Sequence, residues 1–230
     1  MRLLLLGFML LPLQGAVIYM ENPSSPVVAT NIVDPMTGAD LAGLSVTANY
    51  SGFGINALWQ ATGATSGATA ANPLFSLSLT GNTDGTLAWQ YTPLAPQALL
   101  SLVLDGSAAG IYFDRTNPSP GVPGSGPGID MAFSFTPPPG FDIFVIYSGP
   151  VNYAGSPHDL FTKVTIQFGG NGGAAGFAPQ PFQFTQDTDR SVVPEPGAST
   201  MILAGVGLLG VQSVMRRYLR SAAGRKANMH

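Results

Sequence analysis

The sequence has no cysteine and few charged residues. Without cysteine, the chain can form neither a disulfide framework nor a thiolate metal site. Charged residues make up only 9% of the 230 residues, whereas a soluble domain averages about 25%. Disordered chains combine high charge with low hydrophobicity, but 45% of this chain is hydrophobic. The folded part must therefore draw its stability from a buried core.

Basic residues are scarce outside the C-terminus. Five of the nine lysine and arginine residues follow residue 215, and only Arg115, Lys163 and Arg190 lie between residues 17 and 195. All 12 acidic residues fall in that same interval. An acidic body does not attract the phosphate backbone, so we expect no nucleic-acid partner.

The N-terminus has the pattern of a secretory signal peptide. One positive charge, Arg2, precedes an apolar run over residues 3–13, and the small residues Gly15 and Ala16 follow. The run is shorter than the roughly 20 residues that span a bilayer. We therefore predict a signal peptide over residues 1–16 and export by the secretion machinery, although Gln14 stands where a small residue is preferred. A buried first strand or helix is the alternative.

The C-terminus contains a charge-free stretch over residues 197–215. As a helix it would be about 28 Å long, close to the roughly 30 Å of a bilayer's hydrocarbon core. Pro194 and Pro196 disfavour helix before this stretch. Arg216 and Arg217 follow it at once, and positive charge favours the cytoplasmic side. The pattern predicts one transmembrane helix with the body of the protein outside.

Three features in this order, Pro194-Glu195-Pro196, the apolar stretch and Arg216-Arg217, resemble the PEP-CTERM sorting signal. Proteins of this class are exported in Gram-negative, exopolysaccharide-producing bacteria. The resemblance implies transient anchoring in the inner membrane and processing near the motif by an exosortase, a membrane enzyme. The five named residues would then be substrate features that another enzyme reads, and they would catalyse nothing themselves.

The body of the chain alternates apolar and polar residues, which is typical of half-buried strands. The candidate strands are residues 44–50, 55–61, 75–79, 87–91, 99–104, 110–113, 131–135, 141–147, 161–168 and 182–184. About ten short strands with frequent turns predict a mainly β fold, a single β-sandwich of which the jelly roll is one form. Residues 41–47, 58–63, 111–114, 124–128, 159–162 and 187–189 also resemble segments of one large set of PEP-CTERM ectodomains. That resemblance implies a shared fold and supplies no site.

The predicted organisation has three parts. They are a signal peptide (1–16), a β-sandwich ectodomain (17–189) and a sorting region (190–230) that comprises the motif (194–196), the transmembrane helix (197–215) and a basic cytoplasmic tail (216–230).

Candidate chemistry in the body is sparse. Carboxylates spaced by two, as in Asp187 and Asp189, can lie on one face of an extended segment and share a structural calcium ion, although aspartate is also an ordinary turn residue. We expect no other metal or cofactor. A glycosidase needs two carboxylates facing each other across a sugar, and no acidic residue lies in a recognisable catalytic motif. Trp59 and Trp89 could stack on sugars, but their alternating positions fit a core better.

We therefore expect a protein that is not an enzyme. The leading hypothesis is an exported surface or extracellular-matrix protein, located at the cell surface or outside the cell and associated with exopolysaccharide or biofilm. A carbohydrate-binding module would instead show exposed tryptophan or tyrosine side chains on a sheet face. A secreted hydrolase would show a cleft that holds two carboxylates with perturbed pKa values.

Overall fold

A computed structural model describes residues 14–22, 24–29, 31–34, 36–115, 128–153, 156–169 and 176–191, with the backbone alone at 153 and 156–158. All of these residues belong to the first of two compact units, Met1–Val192. The second unit, Val193–His230, lies outside the described residues. The predicted transmembrane helix and most of the predicted signal peptide also lie outside them. Within the described ranges, no helix is long and apolar enough to cross a membrane.

The described residues form fourteen β-strands. The strands are β1 (Val17–Asn22), β2 (Val27–Ala29), β3 (Ile32–Val33), β4 (Ser45–Tyr50), β5 (Phe53–Ala61), β6 (Ser66–Thr69), β7 (Phe75–Thr80), β8 (Trp89–Pro93), β9 (Ser101–Asp105), β10 (Ile111–Asp114), β11 (Ile143–Tyr153), β12 (Ser156–Phe168), β13 (Phe182–Phe184) and β14 (Asp187–Ser191).

The strands belong to one curled sheet with the order β13-β8-β7-β6-β5-β4-β9-β12-β10-β14-β3. Strand β11 pairs with β12 off this path and carries β1 and β2, which run parallel to it. All other pairings are antiparallel. The turning point is β5, because Phe53–Leu58 pairs with β4 whereas Trp59–Ala61 pairs with β6. The sheet thereby curls into a half-barrel whose two halves face each other across one core.

Alternation places one side of each strand in this core. In β7, for example, Phe75, Leu77 and Leu79 are buried while the residues between them are more exposed. At the centre, the rings of Trp59 and Trp89 lie 5.4 Å apart. Buried aromatic rings of this size contribute much of the apolar area that stabilises a fold. Because the chain has no disulfide bonds, its stability depends on this large buried core.

Both buried indole groups have a hydrogen-bond partner. The Nε1 of Trp59 donates to the carbonyl oxygen of Gly38 at 2.7 Å, and the Nε1 of Trp89 donates to that of Gln186 at 2.9 Å. Gly67 packs directly against the first of these bonds. A Cβ atom at residue 67 would overlap both the Gly38 oxygen and the Trp59 nitrogen. Glycine is therefore required there by close packing.

The prediction of a mainly β body is confirmed, and the sandwich is formed by the two halves of a single curled sheet. The predicted strand 131–135 is wrong, because this segment makes only an isolated bridge between Phe133 and Phe184. The short strands β1, β2, β3 and β6 were not predicted. Strand β14 was not predicted either, since its sequence is polar and lacks apolar alternation.

Candidate functional site

The sorting residues Pro194, Glu195, Pro196, Arg216 and Arg217 lie outside the described residues. The last described strand, β14, ends at Ser191, two residues beyond the predicted end of the ectodomain. The backbone N–H of Ser191 donates to the carbonyl oxygen of Gly110 at 2.8 Å. The sheet is therefore complete before the motif begins, and a cut near the motif leaves every described strand intact.

Four aspartates are placed on one face of the sheet around β14. Asp187 stands opposite Asp114 of β10, and Asp189 stands opposite Tyr112. Side chains of directly opposite residues lie on the same face, and so do those spaced by two. The register of β3 places Asp34, the next residue after that strand, opposite Asp189. Strand pairing thus gathers carboxylates that are distant in sequence.

Asp187 belongs to an acidic strip, which comprises Asp34, Asp114, Asp187 and Asp189, and its carboxyl group is strongly perturbed. Its exposed fraction is only 3%, and its Oδ1 has no hydrogen-bond partner within the described residues. Burial, followed by the charges of Asp34 and Asp84, raises the pKa of Asp187 to about 7. A hydrogen bond from the backbone of Thr188 opposes this increase only in part. Near neutral pH, the Asp187 carboxyl group is therefore partly protonated.

The acidic strip does not have the geometry of a metal centre. Within the ranges that the structure describes, no group of three or more His, Asp or Glu side chains is arranged to hold a metal ion. Asp187 and Asp189, the predicted calcium ligands, are two residues apart on β14, and both are buried. Calcium at this position stays a prediction that rests on these two side chains.

The three basic side chains of the body all have partners away from Asp187. Arg115 contacts Glu21 at 2.6 Å and Asp130 at 3.3 Å. Lys163 lies 2.6 Å from Asp105. Burial raises the pKa of Asp105, but hydrogen bonds from Lys163 and Ser107 outweigh burial and hold that pKa below its ordinary range.

The third basic side chain, Arg190, donates to the carbonyl oxygen of Asp40 at 3.1 Å. With Arg115 and Lys163 engaged elsewhere, none of these four contacts brings a positive charge to the carboxyl group of Asp187. The raised pKa of Asp187 is consistent with that arrangement, because the charges that act on it are negative.

The half of the sheet that consists of β6, β7, β8, β13 and the end of β5 carries no charge on its outer face. One row across β5, β6, β7, β8 and β13 is in register and consists of Gln60, Ala68, Ser78, Gln90 and Gln183. Their strand neighbours, such as Trp89 and Phe182, point into the core. Between residues 41 and 104 the only charged residue is Asp84. We call the row of five residues the neutral face; it offers amide and hydroxyl groups without charge.

Two cavities flank the segments 134–141 and 176–183. The first, of about 310 Å³, has an apolar wall that includes Phe135, Phe141 and Phe177, and Gln180 also lines it. The second, of about 210 Å³, is lined by residues that include two glutamines of the neutral face. Its lining residues are Gln90, Ser134, Pro181, Phe182 and Gln183. Neither cavity is lined by a carboxylate, so neither has the paired acids of a glycosidase.

The aromatic platform considered for sugar binding is not on the surface. Trp59 and Trp89 are 1% and 0% exposed, and Tyr50, Tyr91 and Tyr147 are also buried. Sequence reasoning placed the tryptophans in the core, and the structure agrees. The sequence did not predict the cavity beside Phe135, Phe141 and Phe177, because only the fold brings these three residues together. The aromatic character of the segments that contain them was the only available sequence signal.

Comparison with known proteins identifies the C-terminal region. The family model described as the PEP-CTERM protein-sorting motif matches residues 192–220. No curated protein and no solved structure matches the chain.

The chain thus carries a β-rich ectodomain followed by a PEP-CTERM sorting signal, as the sequence predicted. This motif implies an exported protein that is anchored in the membrane before an exosortase processes it.

Proposed function

We propose that this protein is a non-catalytic surface or extracellular-matrix component that associates with exopolysaccharide in a biofilm after processing. The observation that carries the proposal is the sorting motif at residues 192–220, which directly follows a strand that ends at Ser191. A cut near Pro194-Glu195-Pro196 would release the complete sheet from its anchor. The ectodomain is then the product that acts outside the inner membrane.

The electrostatic character of the ectodomain supports a role among neutral polymers. The neutral face combines three glutamines with a serine, and amide groups both donate and accept hydrogen bonds. Sugar hydroxyl groups do the same and carry no charge. A nucleic-acid partner is disfavoured because Arg115, Lys163 and Arg190 are the only basic residues of the body.

A non-catalytic role is supported by the placement of the carboxylates. A hydrolase needs acidic groups that a substrate can reach, but Asp187, the carboxyl group with the pKa raised to about 7, is 3% exposed. Both cavities near residues 134–141 lack acidic lining residues. The accessible chemistry at these cavities is hydrogen bonding and apolar contact.

The first experiment follows processing. Intact mass should be measured for protein recovered outside the producing cells and for a variant with Pro194, Glu195 and Pro196 changed to alanine. A control variant with Pro118, Ser119 and Pro120 changed to alanine places three alanines in another Pro-x-Pro segment, outside the matched residues 192–220. We expect loss of about the last 35 residues in the wild type and the control only. A full-length C-terminus in the inner membrane for all three would refute processing.

Carbohydrate binding is a second candidate function, favoured by the cavity that Gln90 and Gln183 line. The processed protein should be retarded in affinity electrophoresis through gels that contain neutral polysaccharide. Changing Gln90 and Gln183 to alanine should weaken the retardation at least several-fold. Gln167, an exposed glutamine on the other half of the sheet, provides the matched alanine control. Equal retardation of both variants and the wild type would refute this site.

A further inference from the structure

The segment before β1 is already part of the sheet at Ala16. The backbone N–H of Ala16 donates to Oδ1 of Asp142 at 2.9 Å. The carbonyl oxygen of Ala16 accepts from the N–H of Ile143 at 2.8 Å. The six residues of β1 then pair in parallel register with β11, starting with Val17 opposite Ile143. Ala16 therefore makes the first two hydrogen bonds of the N-terminal strand.

The remainder of β1 is held by its side chains. The hydroxyl group of Tyr19 donates to the carbonyl oxygen of Met131 at 2.5 Å. Glu21, at the other end of the strand, pairs with Arg115 at 2.6 Å. Since β1 is anchored along its whole length, it belongs to the mature body and not to a removable leader.

Two positions for the leader cut compete at this boundary. A cut after Ala16 removes both hydrogen bonds that Ala16 makes, and it leaves Gln14 at a position that prefers a small residue. A cut after Gly15 keeps both bonds and has the small residue Gly15 directly before it, while Leu13 then stands where a small residue is preferred. It converts the neutral N–H of Ala16 into an α-ammonium group that faces a carboxylate. A charge-assisted hydrogen bond of this kind is roughly twice as strong as a neutral one.

The surroundings of Gly15 also suit an ammonium group. The atoms nearest to the side-chain position of Gly15 include the backbone carbonyl oxygens of Pro138 and Phe141. An ammonium group has three N–H donors. Removal of Gly15 would open the space beside these two oxygens, and the carboxylate of Asp142 is the acceptor that lies within hydrogen-bond distance of the Ala16 nitrogen.

We propose that export processing cuts between Gly15 and Ala16 and that Asp142 binds the resulting α-ammonium group. Water hydrolyses the peptide bond, Gly15 leaves as a carboxylate on the leader, and the amine of Ala16 takes up a proton. The signal peptidase reads the unfolded segment, so the fold does not direct the cut. The folded body then contains a chain that begins at Ala16, and its first strand keeps all of its hydrogen bonds. This inference rests on the proposed export of the chain.

The test uses the full-length chain, expressed in a Gram-negative host and recovered outside the inner membrane. Free amines are dimethylated, and the protein is then cleaved after glutamate. Because Glu21 is the first glutamate, a cut at Gly15 yields a labelled peptide of residues 16–21. A labelled peptide of residues 17–21 overturns the proposal and leaves export intact. A cytoplasmic chain that still begins with its leader overturns the proposed export itself.

The pairing with Asp142 has a separate measurement. With ¹³C-dimethyl groups on the α-amine, its pKa can be followed by NMR in the wild type and in Asp142→Asn. An α-amine has an ordinary pKa of about 7.7–8.0, and a nearby carboxylate raises it. The contact is exposed, so we expect Asp142→Asn to lower the pKa by about half a unit. Asp84→Asn, distant in sequence from this terminus, should leave it unchanged. Equal values for the wild type and Asp142→Asn would refute the pairing.

Discussion

Replacing Asp187 by asparagine exchanges the buried carboxyl group of β14 for an uncharged amide of nearly the same shape. In the folded protein, burial and the charges of Asp34 and Asp84 raise the pKa of Asp187 from 3.8 to about 7. In the unfolded chain the group titrates near its ordinary value of about 3.9. Between these two pKa values the folded protein holds more protons than the unfolded chain. The stability that protonated Asp187 contributes is therefore complete below about pH 4 and is lost as the pH rises through 7.

The size of this effect follows from the two pKa values. A difference of about 3 pKa units at about 1.36 kcal/mol per unit corresponds to about 4 kcal/mol. Salt screens the charge of the exposed Asp84, so we expect about 2–4 kcal/mol. Asp187→Asn should be more stable than the wild type by this amount at pH 8 and should lose most of that advantage at pH 4.5. For a domain of this size, each kcal/mol corresponds to about 2–4 °C in Tm.

Urea denaturation followed by tryptophan fluorescence is the direct assay, because Trp59 and Trp89 are both buried in the core. The difference between wild type and Asp187→Asn at each pH cancels the titration of the acidic groups that do not interact with Asp187. Asp84→Asn, which removes one of the two charges acting on Asp187, should reduce the pH dependence only in part. Parallel stability curves for the wild type and Asp187→Asn between pH 4.5 and 8 would show that the carboxyl group is not perturbed.

Three further changes test the core and the acidic strip, each by urea denaturation or thermal melting. Gly67→Ala should cost about 2 kcal/mol or more, because its Cβ overlaps the bond from Trp59 to Gly38; an unchanged midpoint would contradict that packing. Gln186→Leu should cost about 3 kcal/mol, because this buried side chain accepts from Tyr147 and donates to two backbone oxygens; a loss below 1 kcal/mol would contradict it. Calcium at 1 mM should leave the Tm within about 1 °C, because no three acidic side chains of the described residues are arranged to hold a metal ion, whereas a clear increase that Asp189→Asn abolishes would support Asp187 and Asp189 as calcium ligands.

The strands that sequence predicted well are those whose own residues alternate. In β4 and β7, each second residue is apolar, and the structure buries those residues. Strand β13 has the predicted bounds, Phe182–Phe184. The segment 131–135 has the same local pattern, but its neighbours offer only one bridge, at Phe133. Alternation therefore predicts which face of a segment is apolar, but not whether a partner strand lies beside it.

The sorting region was also readable from sequence. Two prolines, an apolar stretch and a pair of arginines act through local chain stiffness, hydrophobic length and charge, and each property follows from residues that are adjacent in the chain. The match of the family model to residues 192–220 agrees with that prediction. A signal that another enzyme reads as a linear segment needs no tertiary structure to be recognised.

Sequence alone thus determined the mainly β class, the buried tryptophans and the sorting signal, because each depends on a period of two or on a continuous segment. Tertiary structure decided that Asp187 and Asp189 are buried beside Asp114, since only strand pairing brings β14 between β10 and β3. It also joined Ala16 to Asp142, 126 positions apart. Burial and charge act between neighbours in space, and a curled sheet chooses those neighbours through long-range pairings that no local pattern contains.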